Sequence, residues 1–403
     1  MSRSALKEIV WPGLQDEIMS LRDSVAFLEG RLAASRRLAA EQAGLLERQA
    51  LELGACKVEL AELKARAGRG LAPDARLAQQ VETLSGKVPL SWVRSTKAVP
   101  FANLGDALSP LIVSVMSGLP VAHYAFNSPN RRLAAVGTIG QGQSAGTVHF
   151  WGTGFDPKRN ATGDRSRGFT AAPGVDYVVH AVRGPFTRRA LLAAGIEAPA
   201  IYGDPAWFLP RILKPRVEKK YELGVVLHIS ELDTPGPETG SVTGQPRFAG
   251  AQDYGVHVIS TYHEPSWSGL VGKLQEILAC RRIVSNSFHG LLLADAYQIP
   301  CLYFPNAPTG LKRFDLEGNY DEPLNHRFAD FYRGVGRSSM FAYGNPSSAP
   351  TPWEEVIAAV DRFWEPLSFT GEALFDAFPL APRVAFSEKR WPVDDEAAAA
   401  LPW

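Results

Sequence analysis

The sequence has few cysteines and no spacing among them that suggests a cross-link or a metal site. Its 403 residues contain three cysteines, Cys56, Cys280 and Cys301, and no two of them have CxxC spacing. A disulfide framework is therefore not expected, and we predict no metal site. Such cysteine usage fits a chain that folds in a reducing cytoplasm.

The sequence also lacks long apolar runs and an excess of charge. Its first residues lead into no apolar segment of the signal-peptide kind, and no later stretch offers about 18 uncharged apolar residues. The 42 basic and 42 acidic residues cancel, so no overall field would draw the chain to nucleic acid. We therefore expect a cytoplasmic protein with no transmembrane span and no nucleic-acid partner.

What the chain does have, after a short N-terminal segment (1–13), is a heptad pattern. Apolar residues recur at spacings of four and three across 14–67, beginning with Leu14, Ile18 and Leu21. β-branched residues at a and leucine at d favour a two-stranded parallel coiled coil, although polar d positions and glycines weaken it. We expect a homodimer formed through 14–67; the alternative is one long helix lying on its own globular domain.

Beyond a linker with a short helix (68–86), short apolar runs alternate with helical patterns, which is typical of α/β layering. These runs form two sets, 87–213 and 221–345, joined by a charged hinge at 214–220. The sequence therefore predicts a long N-terminal coiled-coil helix followed by two Rossmann-like α/β domains. A C-terminal helix and a loosely held tail are expected over 346–403.

The predicted elements can be stated individually. Strands are expected at Leu90–Val93, Ala134–Thr138, Thr147–Trp151, Tyr177–Ala181, Ile201–Tyr202, Leu223–Ile229, His257–Ser260, Arg282–Ser285 and Cys301–Phe304. Helices are expected at Asp74–Leu84, Pro185–Ala194, Trp267–Ala279, Leu291–Tyr297 and Thr351–Trp364. The last of these helices is expected to cross back and pack on the first domain.

Four short segments combine glycine with polar residues where a predicted strand ends. In the first, 103–106, Gly105 would let backbone N–H groups face a ligand near the start of a helix. Asn103 and Asp106 belong to this candidate site, although either could instead be a plain helix N-cap.

The second and third segments follow the next strands along the chain. Gly152 and Gly154 permit either close approach of a ligand or a tight turn. Arg183 stands just before a helix that begins with Pro185, where a guanidinium beside helix N–H groups would bind a phosphate or carboxylate; the alternative is a surface arginine. Asp204 is equally well explained as a helix cap or as a ligand contact.

The fourth segment, 285–290, runs from a strand into an apolar helix. Its His289 lies at the helix start, after the end of a strand. A histidine in such a position is a better candidate for a catalytic role than most histidines are. Ser287 is a predicted N-cap whose hydroxyl could also contact an anion. Phe288 and Gly290 complete the segment.

Taken in order, these segments resemble the polysaccharide pyruvyl transferases. The resemblance consists of Asn103-x-Gly105-Asp106, Val182-Arg183, Gly203-Asp204-Pro205 and Ser287-Phe288-His289-Gly290, and it covers roughly Lys87 to Tyr343. The segment Asn325–Tyr332 also looks like the branch that acts on exopolysaccharide repeat units. The N-terminal rod lies outside the resemblance.

The resemblance implies a GT-B-like arrangement of the two domains. It implies an enzyme that uses phosphoenolpyruvate, without a cofactor, to form a pyruvate ketal on two hydroxyls of a bacterial surface sugar. Arg183 would bind the donor's anionic groups and His289 would be the general acid; Asp106 is our candidate base. The acceptor would be a lipid-linked glycan, which would place the enzyme peripherally at the inner face of the cytoplasmic membrane.

One departure from the family pattern bears on donor binding. Many members have arginine where this chain has Ser287, so donor binding must depend more on Arg183, the helix N-terminus, or a residue such as Lys312 or Arg313. Two other functions remain open at this point. One is a nucleotide-sugar glycosyltransferase of the same architecture, and the other is a non-enzymatic scaffold in which the coiled coil is the working part.

Overall fold

The computed structural model describes residues 16–39, 42–44, 73–162, 168–317 and 323–403. The chain divides into two compact units, Met1–Lys64 and Ala65–Trp403. Among the described residues, none of the helices has the length and apolarity that crossing a bilayer requires.

The first unit contains a long helix, α1 (16–39), with 42–44 also helical. Its large apolar side chains are exposed to solvent, with Ile18 at 43%, Val25 at 53% and Leu28 at 59% exposure. This confirms the long N-terminal helix and leaves its predicted a and d positions uncovered in the single chain. The heptad positions from 46 onward lie outside the described residues.

The second unit alternates strands with helices. Its helices are α2 (Ala75–Thr83), α3 (Leu104–Ser117), α4 (Pro185–Ala193), α5 (Leu209–Ile212), α6 (Trp267–Leu278), α7 (Phe288–Ala296), α8 (His326–Gly334), α9 (Trp353–Phe363), α10 (Glu372–Asp376) and α11 (Asp395–Ala399). Its strands are β1 (Val88–Ser91), β2 (Ala102–Asn103), β3 (Val121–His123), β4 (Arg132–Ala134), β5 (Gly146–Thr153), β6 (Val175–Val182), β7 (Leu223–Leu227), β8 (Val256–Ser260), β9 (Tyr262–His263), β10 (Ile283–Ser285), β11 (Cys301–Tyr303), β12 (Gly310–Asp315) and β13 (Ser339–Gly344).

The first sheet has the strand order β3-β1-β4-β5-β6, and each neighbouring pair is parallel. The chain passes from β1 through α3 to β3 on one side, whereas β4 pairs with the other side of β1. The order of strands therefore reverses between β1 and β4. Loops leave such a point in opposite directions and open a crevice at the carboxyl ends of the strands.

The second sheet has the order β12-β13-β11-β10-β7-β8 and is parallel except for β12, which is antiparallel to β13. Its order reverses between β7 and β10. These two sheets confirm a mixed α/β fold with parallel sheets, and the GT-B-like arrangement of two domains stays a prediction.

A two-stranded antiparallel ribbon connects the two sheets at their carboxyl ends. It pairs Ala102 of β2 with His263 of β9, and Asn103 with Tyr262. Because β2 follows β1 and β9 follows β8, the ribbon ties a carboxyl-end loop of the first sheet to one of the second. The two crevices are thereby held near a common boundary.

Local sequence explains where the helices beside these crevices begin and end. Pro185 is the first residue of α4, where its missing N–H would have had no helical partner. Asn103 caps α3, and Gly118 ends that helix at a φ of 68°, which a residue without a Cβ adopts at little cost.

The C-terminal segment differs from the prediction in two ways. Helix α9 packs on the second sheet, since its Trp353 and Val356 share an apolar core with Val284 and Leu302 of that sheet. The prediction that this helix crosses back to the first domain was therefore wrong.

The residues after α9 cross back instead, and they are not a loose tail. Leu374 accepts a 2.7 Å hydrogen bond at its carbonyl from Trp151 Nε1 of β5. Trp391 is 1% exposed, and its backbone N donates to Arg211 O at 2.7 Å. Four buried aromatic residues occur between 374 and 403, and this apolar content holds the segment on the core.

Most predicted elements are present, with ends shifted by a few residues. The expected strand at Ile201–Tyr202 is reduced to a single bridge between Tyr202 and Val182. The sequence did not predict β3, β12, β13 or α8. Strand β12 is exposed at five of its six positions at least in part and has no apolar run, so periodicity gave no signal there.

Candidate active site

The ribbon brings the first turn of α3 to the boundary between the sheets. Asn103 Oδ1 accepts from Gly105 N at 3.1 Å, and Asn103 Nδ2 donates to Thr261 Oγ1 at 3.1 Å. Leu104 N donates to Thr261 O at 2.8 Å. Asn103 therefore acts as the predicted N-cap, and it also joins α3 to the loop after β8.

His289 is the second residue of α7, which begins immediately after β10. The turn before it is held by Ser285, whose Oγ donates to Val226 O at 2.7 Å and accepts from Ser287 N at 2.9 Å. The His289 side chain is 13% exposed. It lies against Gly105 of α3, where an added Cβ would overlap the imidazole ring.

Asp204 supports the imidazole of His289 from the first domain's side. Its Oδ1 accepts from Ala206 N at 3.0 Å, and so caps the 3-10 turn Pro205–Phe208. Its Oδ2 lies 3.6 Å from His289 Nε2 and has no hydrogen-bond partner among the described residues. The structure therefore confirms Asp204 as a cap, and its other oxygen faces the histidine; a contact with a ligand stays a prediction.

Asp106 follows Gly105 in the first turn of α3 and is partly buried. Burial raises the pKa of this carboxyl from 3.8 to about 6, and the nearby His289 and Arg327 partly oppose the rise. A carboxyl group with a pKa near 6 is mostly ionised at neutral pH and can still exchange a proton readily. The structure thus places both predicted catalytic residues in one electrostatic cluster.

The cluster also contains Arg327, at the start of α8. Its Nη1 lies 2.9 Å from His228 Nε2, and His228 directly follows β7, the strand next to β10. Burial, together with the charges of Arg327 and His289, lowers the pKa of His228 to about 4. His228 therefore stays neutral at physiological pH and can accept the hydrogen bond that orients Arg327.

Several cationic groups lie around Arg327. Burial lowers the pKa of its guanidinium to about 10, and the nearby Arg183 contributes to this shift. His326 has its pKa lowered by burial and by the charges of Arg183, Arg327, Lys158 and Arg159. So many positive groups at a partly buried boundary are the arrangement expected of a site that binds an anion.

Arg183 lies in the interior beside this cluster, with its side chain 0% exposed. Its Nη1 donates to Thr138 Oγ1 at 2.6 Å, its Nε lies 3.4 Å from Asp330 Oδ2, and its Cζ is 4.9 Å above the Phe288 ring. Within the described chain, its Nη2 is buried and has no hydrogen-bond partner. Arg183 is therefore no surface arginine, and Nη2 is its one guanidinium nitrogen with neither a hydrogen bond nor an ion pair among the described residues.

A comparison with known protein families bears on the sequence motifs in this region. Residues 143–308 match the family model described as polysaccharide pyruvyl transferase. The matched range contains Arg183, Asp204 and His289, and it confirms the resemblance over these residues. The segments Asn103–Asp106 and Asn325–Tyr332 lie outside it. No curated protein and no solved structure matches the chain. The family match supports a transferase that places pyruvyl groups on a polysaccharide.

The remaining predicted site residues contribute by close packing. A Cβ at Gly152 would overlap Pro205, one at Gly154 would overlap the Arg183 guanidinium, and one at Gly290 would meet Ser285. These glycines let neighbouring elements approach closely.

Ser287 and Phe288, which lie just before His289, are both buried. In the described chain the Ser287 side chain makes no capping hydrogen bond to α7, so only the position of the predicted N-cap is correct. The Phe288 ring lies between the Arg183 guanidinium and the rings of Phe328 and Phe331.

The cluster contains a different basic residue from Lys312 and Arg313, the two that were named from the sequence. Lys312 and Arg313 lie on β12 at the sheet edge, three strands away from β10, and both are exposed. Arg327, in the segment singled out for its resemblance to the exopolysaccharide branch, lies in the cluster with His289 and Asp106. Sequence reasoning missed it because α8 was not predicted, although Asn325 before it is a typical N-cap.

Proposed function

We propose that this protein transfers a pyruvyl group from phosphoenolpyruvate to two hydroxyls of one sugar, and so forms a cyclic ketal. The observation that carries the proposal is the cluster at the boundary of the two sheets. It combines His289 with the carboxylates of Asp204 and Asp106 and with the cation Arg327. An acid, a base and an anion site are the three parts that this reaction requires.

His289 supplies the first proton. Protonation of the methylene carbon of the enol phosphate leaves an oxocarbenium-like carbon, which a sugar hydroxyl attacks while its proton passes to Asp106. The bond to phosphate then breaks, and phosphate leaves with the proton held by Asp106. The second hydroxyl closes the ketal and returns its proton to His289. Asp204 Oδ2, 3.6 Å from Nε2, stabilises the charged imidazole before the first transfer.

Arg327 and the start of α7 bind the donor in this proposal. Phosphoenolpyruvate carries a phosphate and a carboxylate, and guanidinium groups bind both through paired hydrogen bonds. Backbone N–H groups at the start of a helix add further donors. Arg183 contributes through Nη2 and through its contact with Phe288, the residue before His289.

The acceptor and the assembly rest on the family resemblance and on α1. We propose that the acceptor sugar belongs to a surface polysaccharide or to its lipid-linked repeat unit. We further propose that two chains associate through the heptad region, because its apolar positions are exposed in the single chain and pairing would cover them.

Phosphate release from phosphoenolpyruvate, with and without an acceptor glycan, tests the reaction. Release should depend on the acceptor, and His289→Ala should lower turnover by roughly 100-fold or more because the proton donor is lost. His257→Ala is the matched control, since His257 lies on the outer strand β8 and pairs with Glu276 of α6. Native turnover in His289→Ala would sink the assignment of the acid.

A thermal-shift screen tests the donor independently of the acceptor. Phosphoenolpyruvate should raise the melting temperature of the full-length protein, whereas nucleotide sugars should leave it unchanged. The opposite result would indicate a nucleotide-sugar glycosyltransferase and would overturn the proposed reaction.

A further inference from the structure

Three side chains that commonly bind metals converge on the first sheet. His149 lies on β5, His180 lies on the neighbouring strand β6, and Asp74 directly precedes α2. One ligand atom from each residue lies within 4.8 Å of the other two. His149 Nδ1 is 3.0 Å from His180 Nε2 and 3.8 Å from Asp74 Oδ2.

These separations suit a common metal ion. Zinc bonds to imidazole nitrogen and carboxylate oxygen at about 2.0–2.2 Å, which places two ligand atoms of a tetrahedral site about 3.3–3.5 Å apart. The observed 3.0 and 3.8 Å lie on either side of that spacing. Small side-chain rotations would therefore bring the three atoms around one ion.

The backbone of β6 is irregular at His180. Phe150 pairs with Val179 and Trp151 pairs with Ala181, so His180 is an extra residue between two consecutive pairs. A bulge of this kind changes the direction of a side chain relative to a regular strand. Here the His180 ring stacks on His149, with centroids 5.3 Å apart and an angle of 11° between the planes.

The two oxygens of Asp74 have different surroundings. Oδ1 accepts hydrogen bonds from Arg76 N at 3.1 Å and Leu77 N at 2.8 Å, and so caps α2. Oδ2 is directed to His149 instead. Capping therefore accounts for one oxygen only, and the other is placed beside two imidazoles.

We propose that Asp74, His149 and His180 form a binding site for a divalent transition-metal ion of the zinc class. Two nitrogens and one oxygen favour zinc, nickel or copper over magnesium and calcium, which bind oxygen ligands. The site is separate from the proposed active site: His149 lies in the first half of β5, whereas Arg183 and Asp204 follow the carboxyl ends of β6 and the next bridge.

The ion would fasten the start of the second unit to its sheet. Asp74 begins α2, and its backbone N donates to Pro379 O of the C-terminal segment at 2.9 Å. A link from Asp74 through the metal ion to β5 and β6 would add a further attachment of this residue to the rest of the unit. The role assigned to the ion is therefore structural.

Arg131 competes with the metal for His149. Its Nη1 lies 2.8 Å from His149 Nε2, so it donates to that nitrogen when Nδ1 carries the proton. Metal binding at Nδ1 moves the proton to Nε2, where two donors would face each other. The guanidinium of Arg131 must therefore turn away when the ion binds.

The test is titration of the full-length, tag-free, chelator-treated protein with Zn²⁺, followed by calorimetry, and with Co²⁺, followed by visible absorption. One ion should bind per chain. Asp74→Asn, which retains a capping side chain, and His180→Ala should each weaken binding by roughly 10-fold or more. His257→Ala is the control for general loss of a histidine, and it should bind as the unchanged protein does.

Two results would overturn the site. One is unchanged Zn²⁺ affinity in both Asp74→Asn and His180→Ala, and the other is the absence of any Zn²⁺ binding by the unchanged protein. Arg131→Ala provides a test in the opposite direction, because removal of the competitor should tighten binding several-fold. Equal or weaker binding in Arg131→Ala would overturn the assignment of His149 Nδ1 as the ligand atom.

Discussion

At the scale of single residues, the candidate active site consists of acidic and basic side chains that are buried close to one another. His289 has Asp204 on one side, 3.6 Å away, and shares the electrostatic environment of Asp106 and Arg327. Arg183 is neutralised by Asp330 in the interior. A buried charge is costly unless it is paired, so each of these groups depends on its neighbours.

Arg327 is the residue on which donor affinity should depend most. Arg327→Met should raise the KM for phosphoenolpyruvate by roughly 10- to 100-fold, because a hydrogen bond to a charged group contributes about 1.5–3 kcal/mol. Lys312→Met and Arg313→Met are matched controls on the exposed edge strand and should leave KM unchanged. Steady-state kinetics would measure these KM values. The assignment would be contradicted if Arg327→Met kept the native KM while one of the control variants had a higher KM.

The raised pKa of Asp106 predicts a pH dependence of stability. Burial raises this pKa from 3.8 to about 6, so between about pH 4 and pH 6 the folded protein holds a proton that the unfolded chain has released. Stability therefore falls as pH rises through this window, by at most about 3 kcal/mol. Asp106→Asn should not show the fall.

Denaturant unfolding of both proteins at pH 4, 5, 6 and 7 measures the difference. The stability of Asp106→Asn relative to the unchanged protein should increase over this series and then level off. A constant difference would mean that Asp106 titrates alike in the folded and unfolded states. The same variant should also lose the acidic limb of the activity profile near pH 6, if Asp106 is the base.

At the scale of elements, the site depends on how closely α3 approaches α7. Asn103 caps α3 and also bonds Thr261 after β8, so one side chain sets both the helix start and its position over the second sheet. Gly105 then meets His289 with no space for a Cβ. The starts of these two helices, more than the sheets, bring the proposed acid and the proposed base together.

Gly105→Ala should displace His289 and lower kcat by roughly 10- to 100-fold, since misplacement of a reacting group by about 1 Å has an effect of this size. Gly272→Ala is the control within helix α6, because no atom lies within 4 Å of a Cβ added there. That control should keep native turnover and gain up to about 1 kcal/mol of stability. Native kcat in Gly105→Ala would show that the contact is not needed for catalysis.

At the scale of the whole molecule, the chain is a helical unit and an α/β unit whose boundary lies before α2. Leu77 and Val81 of α2 are buried in the main core, at 0% and 6% exposure. The short helix that the sequence assigned to the linker is therefore structurally part of the α/β unit. Its Asp74 also carries one ligand of the proposed metal site.

Two N-terminal deletions should consequently behave differently. Deletion of 1–72 should abolish dimerisation and leave catalysis intact, whereas deletion of 1–86 should also destabilise the fold. Burial of each lost apolar side chain contributes about 1.5–3 kcal/mol. Light scattering and thermal melting measure the two effects.

Either of two results would contradict this account. A full-length protein that is monomeric in light scattering would remove the proposed coiled coil, and equal melting temperatures for the two deletions would show that α2 adds little to the core. Loss of catalysis in the shorter deletion, with its fold intact, would give the N-terminal unit a direct part in the reaction.

Sequence by itself determined the features that repeat over short distances. The heptad spacing predicted α1, the alternation of apolar runs predicted the parallel strands, and the motif at 285–290 placed His289 at a helix start. Each rests on local periodicity or local capping, which a few neighbouring residues specify. The same reasoning gave a wrong prediction for the C-terminal segment. Its aromatic residues become buried only by packing on a core whose residues are distant in the sequence.

Tertiary structure alone decided which distant residues meet. Arg327 joins His289 and Asp106 because the strand order reverses between β7 and β10 and a ribbon links the two sheets. Asp74, His149 and His180 meet because β5 pairs with β6 around a bulge. Sheet order and register arise from contacts between residues far apart in the chain. Local spacing in the sequence therefore does not predict them.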